Sequence, residues 1–69
     1  MEIINLRGEF IKLGQALKAA NLIENGGMAK EVITAGEVKV NGEVCIQRGK
    51  KLTEGDIVDF NGEQIKICR

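Results

Sequence analysis

Seven of the ten basic side chains, Lys12, Lys18, Lys30, Lys39, Arg48, Lys50 and Lys51, fall between Ile11 and Lys51. The same stretch holds only four carboxylates, Glu24, Glu31, Glu37 and Glu43. The 69-residue chain is neutral overall, with ten acids against ten bases, so the remaining acids gather toward its two ends. A neutral protein can therefore carry a basic central face, although a charge run can equally be a solvated surface. Lys12 falls in the opening turn of an expected helix, where the helix dipole disfavours a cation by about 0.3–1 kcal/mol. A lysine there either lays its stem over apolar surface or is held for an anion. Asn25-Gly26-Gly27 is expected to open a second helix, where free N–H groups attract phosphate oxygens and glycines let a backbone come close. Gly-Gly is also an ordinary flexible cap; Lys30 at the same end shifts the balance toward anion contact. Lys39 projects from the polar face of the following strand, and Arg48, Lys50 and Lys51 crowd the loop beyond it.

What is missing narrows the chemistry further. There is no histidine, so general acid–base work would fall to carboxylates or lysine, in a body too small for a deep pocket. A binding module is expected rather than an enzyme. The two cysteines, Cys45 and Cys68, are too few for a disulfide framework and need two more soft ligands to make a zinc site, so neither metal nor cofactor is expected. No apolar run approaches the ~20 residues of a membrane span, and the N-terminus lacks a signal pattern, which points to a reducing cytoplasm with no membrane partner. No small-molecule substrate is expected. The only aromatics are Phe10 and Phe60, both at apolar positions, so no stacking platform for unpaired bases is expected. Nucleic acid would then be read through backbone and shape, as folded or double-helical RNA is.

These side chains need elements to hold them. Glu2 to Leu6 is rich in isoleucine and predicts a short strand. Phe10, Leu13, Leu17 and Ala20 then fall on one helical stripe, with Gly14 inside it as a costly residue that something approaches closely. Asn21 can end that helix in a left-handed conformation. Asn25 is the expected N-cap of the second helix, Met28, Ala29, Val32 and Ile33 its buried side, and Gly36 its C′ residue. From Glu37 the period falls to two, with Val38 and Val40 on one face and Lys39 on the other. Asn41-Gly42 signals a hairpin, but a two-residue loop would set Glu43 on the apolar face, so a bulge or wider turn is expected. Asn61-Gly62 should form a simple hairpin, pairing Phe60 with Glu63 and Val58 with Ile65. The sum is one domain over residues 1–69 of class α+β: two short packed helices on a small antiparallel sheet.

Residues 11–60 carry a resemblance. Ile11-Lys12-Leu13-Gly14-Gln15-Ala16-Leu17-Lys18 resembles the first helix of the S-four RNA-binding domain, the alpha-L motif. Ala29-Lys30-Glu31-Val32-Ile33-Thr34-Ala35-Gly36 followed by Val38-Lys39-Val40-Asn41-Gly42 is similar to that family's signature, and Gly55-Asp56-Ile57-Val58 to its closing strand. The resemblance implies a stand-alone RNA-binding domain that grips structured RNA with the two helices and the adjoining hairpin. Carried over residue by residue, it assigns RNA contacts to Lys12, Lys30 and Lys39, with Arg48, Lys50 and Lys51 in a basic loop and Asn25, Gly26 and Gly27 at the start of helix two. Many members have Ser-Arg where Gly26-Gly27 stands and an acidic residue where Gly14 lies. The Gly-Gly resembles small bacterial members linked to ribosome maturation. The expected partner is accordingly structured RNA, either rRNA or an assembling ribosomal subunit. With nothing appended to the module, a synthetase or pseudouridine synthase is not expected.

Two other classes compete. Val40-Asn41-Gly42 and Gly55-Asp56-Ile57-Val58-Asp59-Phe60 share texture with ubiquitin-like sulfur carriers, but those act through a C-terminal Gly-Gly and this sequence closes on Ile67-Cys68-Arg69. A protein–protein adaptor working through a sheet edge or the acidic end is the other.

Overall fold

The change of apolar period along the chain becomes a change of element, and the computed structural model describes residues 1–69. In chain order these are β1 (Glu2–Asn5), β2 (Ile11–Lys12), α1 (Leu13–Ala19), α2 (Gly26–Thr34), β3 (Val38–Val40), β4 (Glu43–Val44), β5 (Lys51–Leu52), β6 (Ile57–Phe60) and β7 (Glu63–Cys68). Five strands form one sheet in the order β1-β7-β6-β3-β4, and β2 with β5 makes a separate two-stranded ribbon. The class is α+β, two helices with a mostly antiparallel sheet.

The helix ends follow local chemistry. Asn21 closes α1 at φ 60°, and Gly36 follows the C-cap of α2 at φ 80°. The Asn25 side chain accepts a hydrogen bond from the Met28 N–H at 2.9 Å, which makes it the N-cap expected. Of the helix-one stripe, Leu13, Leu17 and Ala20 are buried, and they join Ala29, Ile33, Val38, Val40, Leu52, Val58, Ile65 and Ile67 in one apolar core. No polar or charged residue is buried. Neither helix could persist alone at this length, so burial of these stripes holds them in place.

Four expectations change. Helix one begins at Leu13 rather than Phe10, because Ile11 and Lys12 pair with Leu52 and Lys51 as a ribbon instead. Met28 is exposed, because the buried stripe of α2 runs through Ala29 and Ile33 and leaves Met28 on its flank. The Asn41-Gly42 hairpin has a plain two-residue turn, with Val40 opposite Glu43 and Lys39 opposite Val44. Both turn residues have positive φ, 52° and 86°, as the favoured hairpin turn requires. Alternation does not forbid this register, because β4 is a short edge strand where Glu43 and Val44 are both exposed. The sheet, finally, is mixed: β1 runs parallel to β7, with Ile4 beside Ile67. No tight turn joins those two strands, so nothing local imposes antiparallel pairing. The second hairpin keeps its expected register, Phe60 with Glu63 and Val58 with Ile65.

Candidate nucleic-acid interface

A helix start leaves N–H groups without partners inside the helix. In α1 they are met from the loop between β4 and β5: Leu13 N–H donates to the Lys50 carbonyl at 2.9 Å and Gly14 N–H to the Arg48 carbonyl at 3.1 Å. The Gln15 side-chain oxygen reaches back to accept from Lys12 N–H at 3.2 Å. The basic loop is thus fastened to the beginning of α1 by its backbone, while the side chains of Arg48 and Lys50 stay exposed. The close approach expected at Gly14 is Arg48 itself. A Cβ on residue 14 would stand 2.9 Å from Arg48 Cγ, so only glycine lets that stem cross the helix.

The ribbon adds two more cations. Lys12 and Lys51 are direct cross-strand partners, so their side chains leave the same face while Leu52 beneath is fully buried. Like charges in that position destabilise a strand pair by roughly 0.2–1 kcal/mol. Lys12 also stands at the positive end of α1. Four cations, Lys12, Arg48, Lys50 and Lys51, therefore share one edge of the molecule at a cost to stability. No lysine or arginine side chain donates a hydrogen bond within the protein. Two carboxylates line a cleft with Lys50, Glu43 and Asp56, and the second is otherwise engaged: it accepts from Asn41 Nδ2 at 2.9 Å and from Thr53 N–H at 2.8 Å. Asn41 Oδ1 in turn accepts from Ile57 N–H at 2.9 Å. Asn41-Gly42 and Gly55-Asp56 thereby latch the hairpin to the turn before β6.

The remaining sequence candidates lie elsewhere. Lys30 is exposed on α2, and Asn25, Gly26 and Gly27 form that helix's first turn. A Cβ at Gly26 would meet nothing within 4 Å, whereas one at Gly27 would come 3.3 Å from the capping oxygen of Asn25. Glycine at 27 thus serves the cap, and glycine at 26 has no steric cause. Lys39 stands apart from the four. Val38 and Val40 face the core, so Lys39 projects from the opposite face of the sheet, beside Asp59. The shallow cleft it lines also contains Glu37 and Asp59 and no other cation. No three His, Cys, Asp or Glu side chains come together in a way that could hold a metal ion. No helix is long and apolar enough to cross a membrane.

One residue beside the cation edge escaped the sequence reading. Phe10 is 40% exposed, and the Lys51 ammonium lies over its ring, 4.9 Å from the centroid. The available signal was the spacing to Lys12: in extended chain, residues 10 and 12 share a face.

The fold recurs in known proteins. The family model described as S4 domain matches residues 4–68, taking in the end of β1 and all of β7 as well as the 11–60 stretch. The Bacillus subtilis (strain 168) protein named "Probable ribosome maturation protein RlbA" is 48% identical over 59 residues, 86% of this chain and 83% of that one. YbcJ of Escherichia coli (strain K12) is 33% identical over 57 residues, 83% of this chain and 81% of its own. The solution structure of E. coli YbcJ, reported to reveal an αL motif involved in RNA binding, superposes with a TM-score of 0.77 at 30% identity, covering 100% of this chain and 89% of that one. This chain belongs to the S4 domain family.

Proposed function

We propose that this protein is a non-catalytic RNA-binding protein that recognises structured RNA, in rRNA or an assembling ribosomal subunit, through contacts to phosphate. The observation that carries this is the edge where Lys12 and Lys51 face one another across the ribbon and Arg48 and Lys50 are fastened beside them. Charges gathered against their own repulsion, with no side-chain hydrogen bond holding them to a carboxylate, suit a polyanion that neutralises them on binding. Lys30 and the Asn25-Gly26-Gly27 turn form a second contact on α2, where the first N–H groups of the helix can meet a phosphate oxygen. Lys39, in acidic surroundings, contributes least. The name of the B. subtilis relative supports a place in ribosome maturation, and the αL motif reported for YbcJ supports RNA as the partner.

Phosphate contacts make a specific demand on salt dependence. With roughly four to six of them, log affinity for rRNA fragments falls with log salt at a slope of about −3 to −5. Lys50→Ala weakens binding across unrelated RNA sequences and makes that slope shallower by about one. Filter binding to rRNA fragments over a salt series measures both. A slope near zero, or no binding in low salt, overturns the proposal.

A further inference from the structure

The two aromatic residues have opposite fates. Phe60 packs against the core, and Phe10 does not: it remains 40% exposed, outside the cluster that takes in Ile11 and Leu52 from the ribbon's apolar side. It lines a cleft of about 570 Å³ between the end of β1 and the outer side of α1. Ile4, Leu6, Ile11 and Ala19 make the other apolar walls, Asn5 and Gln15 bring amide groups to them, and Arg7 adds a cation. The Gln15 amide is held in orientation because its oxygen accepts from Lys12 N–H, while its NH₂ is used by no hydrogen bond in the protein. Lys51 lies over the ring and Lys12 leaves the same ribbon face.

A ligand that satisfies this set is flat and apolar, carries hydrogen-bonding atoms on its edge, and is joined to an anion. A nucleotide has that chemistry. We propose that the cleft beside Phe10 receives an unpaired nucleobase of the bound RNA, with the base stacked on Phe10, its edge meeting the Gln15 amide, and its phosphate held by Lys12 and Lys51. This rests on the RNA-binding reading and sharpens it: the preferred target is a helix that extrudes a base at a bulge or junction, not an uninterrupted duplex. Base–aromatic stacking contributes enough to separate the two kinds of RNA by about tenfold.

The test uses the full chain and two short RNA hairpins, identical except that one stem carries a single bulged adenosine; a second version of that stem has a fluorescent purine analogue in the bulge. The protein binds the bulged stem about tenfold more tightly and quenches the analogue. Phe10→Ala loses the preference and the quenching but keeps its affinity for the paired stem within about twofold, and Phe10→Tyr restores both. Thermal unfolding of each variant reports that the fold is intact. Equal binding of the two stems by the unaltered protein, or a preference that survives Phe10→Ala, overturns the base site and leaves the cleft to an apolar side chain of a protein partner. Failure to bind either stem in low salt overturns the RNA reading as well, so the two failures are distinct.

Discussion

The two helices begin in different ways. Helix α2 is capped from within, by the Asn25 side chain immediately before it. Helix α1 is capped from far along the chain, by the carbonyls of Arg48 and Lys50, with only Gln15 assisting locally. A local cap stabilises a helix and delivers nothing else. A remote cap brings a segment with it, and here that segment is the basic loop. Because the loop is anchored by its backbone, its cationic side chains are positioned without being consumed, and they remain available to a ligand.

The sharpest contrast should appear in stability. Leu13 is fully buried at the first position of α1, where its N–H also holds the loop. Leu13→Ala is expected to cost about 2–5 kcal/mol, a large part of the whole stability of a chain this short. Asn25→Ala removes only a local cap and is expected to cost about 1 kcal/mol. Urea unfolding of both variants measures the difference, which reports that the start of α1 is built into the core while that of α2 rests on a local cap.

Glycine substitutions probe the same contrast at lower amplitude. Gly14→Ala gains up to ~1 kcal/mol of helix propensity and loses a comparable amount by displacing Arg48, so the net stability change stays within about 1 kcal/mol. Its expected signature is functional: weaker RNA binding and a shallower salt slope, matching Arg48→Ala. Gly26→Ala meets open space within the protein and should leave stability nearly unchanged. One small effect is a gain in stability. Lys12→Gln relieves the repulsion with Lys51 and should raise stability by ~0.2–1 kcal/mol in low salt, a gain that fades as salt is added. The same variant loses RNA affinity. A charge that harms folding and helps binding is expected of an interface.

Much of the fold was legible because it depends on neighbours in the chain. The cap at Asn25, the left-handed Asn21, the C′ glycine at 36 and the register of the Asn61-Gly62 hairpin all follow from short-range sterics and hydrogen bonding. The Asn41-Gly42 turn shows where such reasoning fails. Its residue types favour a two-residue hairpin, and an edge strand has no buried face to forbid that register. Phe10 failed for a related reason. Helical spacing placed it on the buried stripe, but tertiary pairing holds the next two residues in a ribbon and leaves the ring outside.

The lysines and arginine of the candidate interface were all visible in the sequence, as was the resemblance that gave them meaning. Grouping them needed three dimensions. Lys12 and Lys51 come together only because β2 pairs with β5, and Arg48 reaches α1 only because a glycine lies beneath it. Lys39, one residue from the same signature, goes to the other face because strand side chains alternate. Sequence alone determined most of the element types, the local caps at Asn21, Asn25 and Gly36, and the supply of cations, since those depend on forces acting over a few residues. Which cations share an edge was decided by long-range pairing and core burial, which no local pattern records.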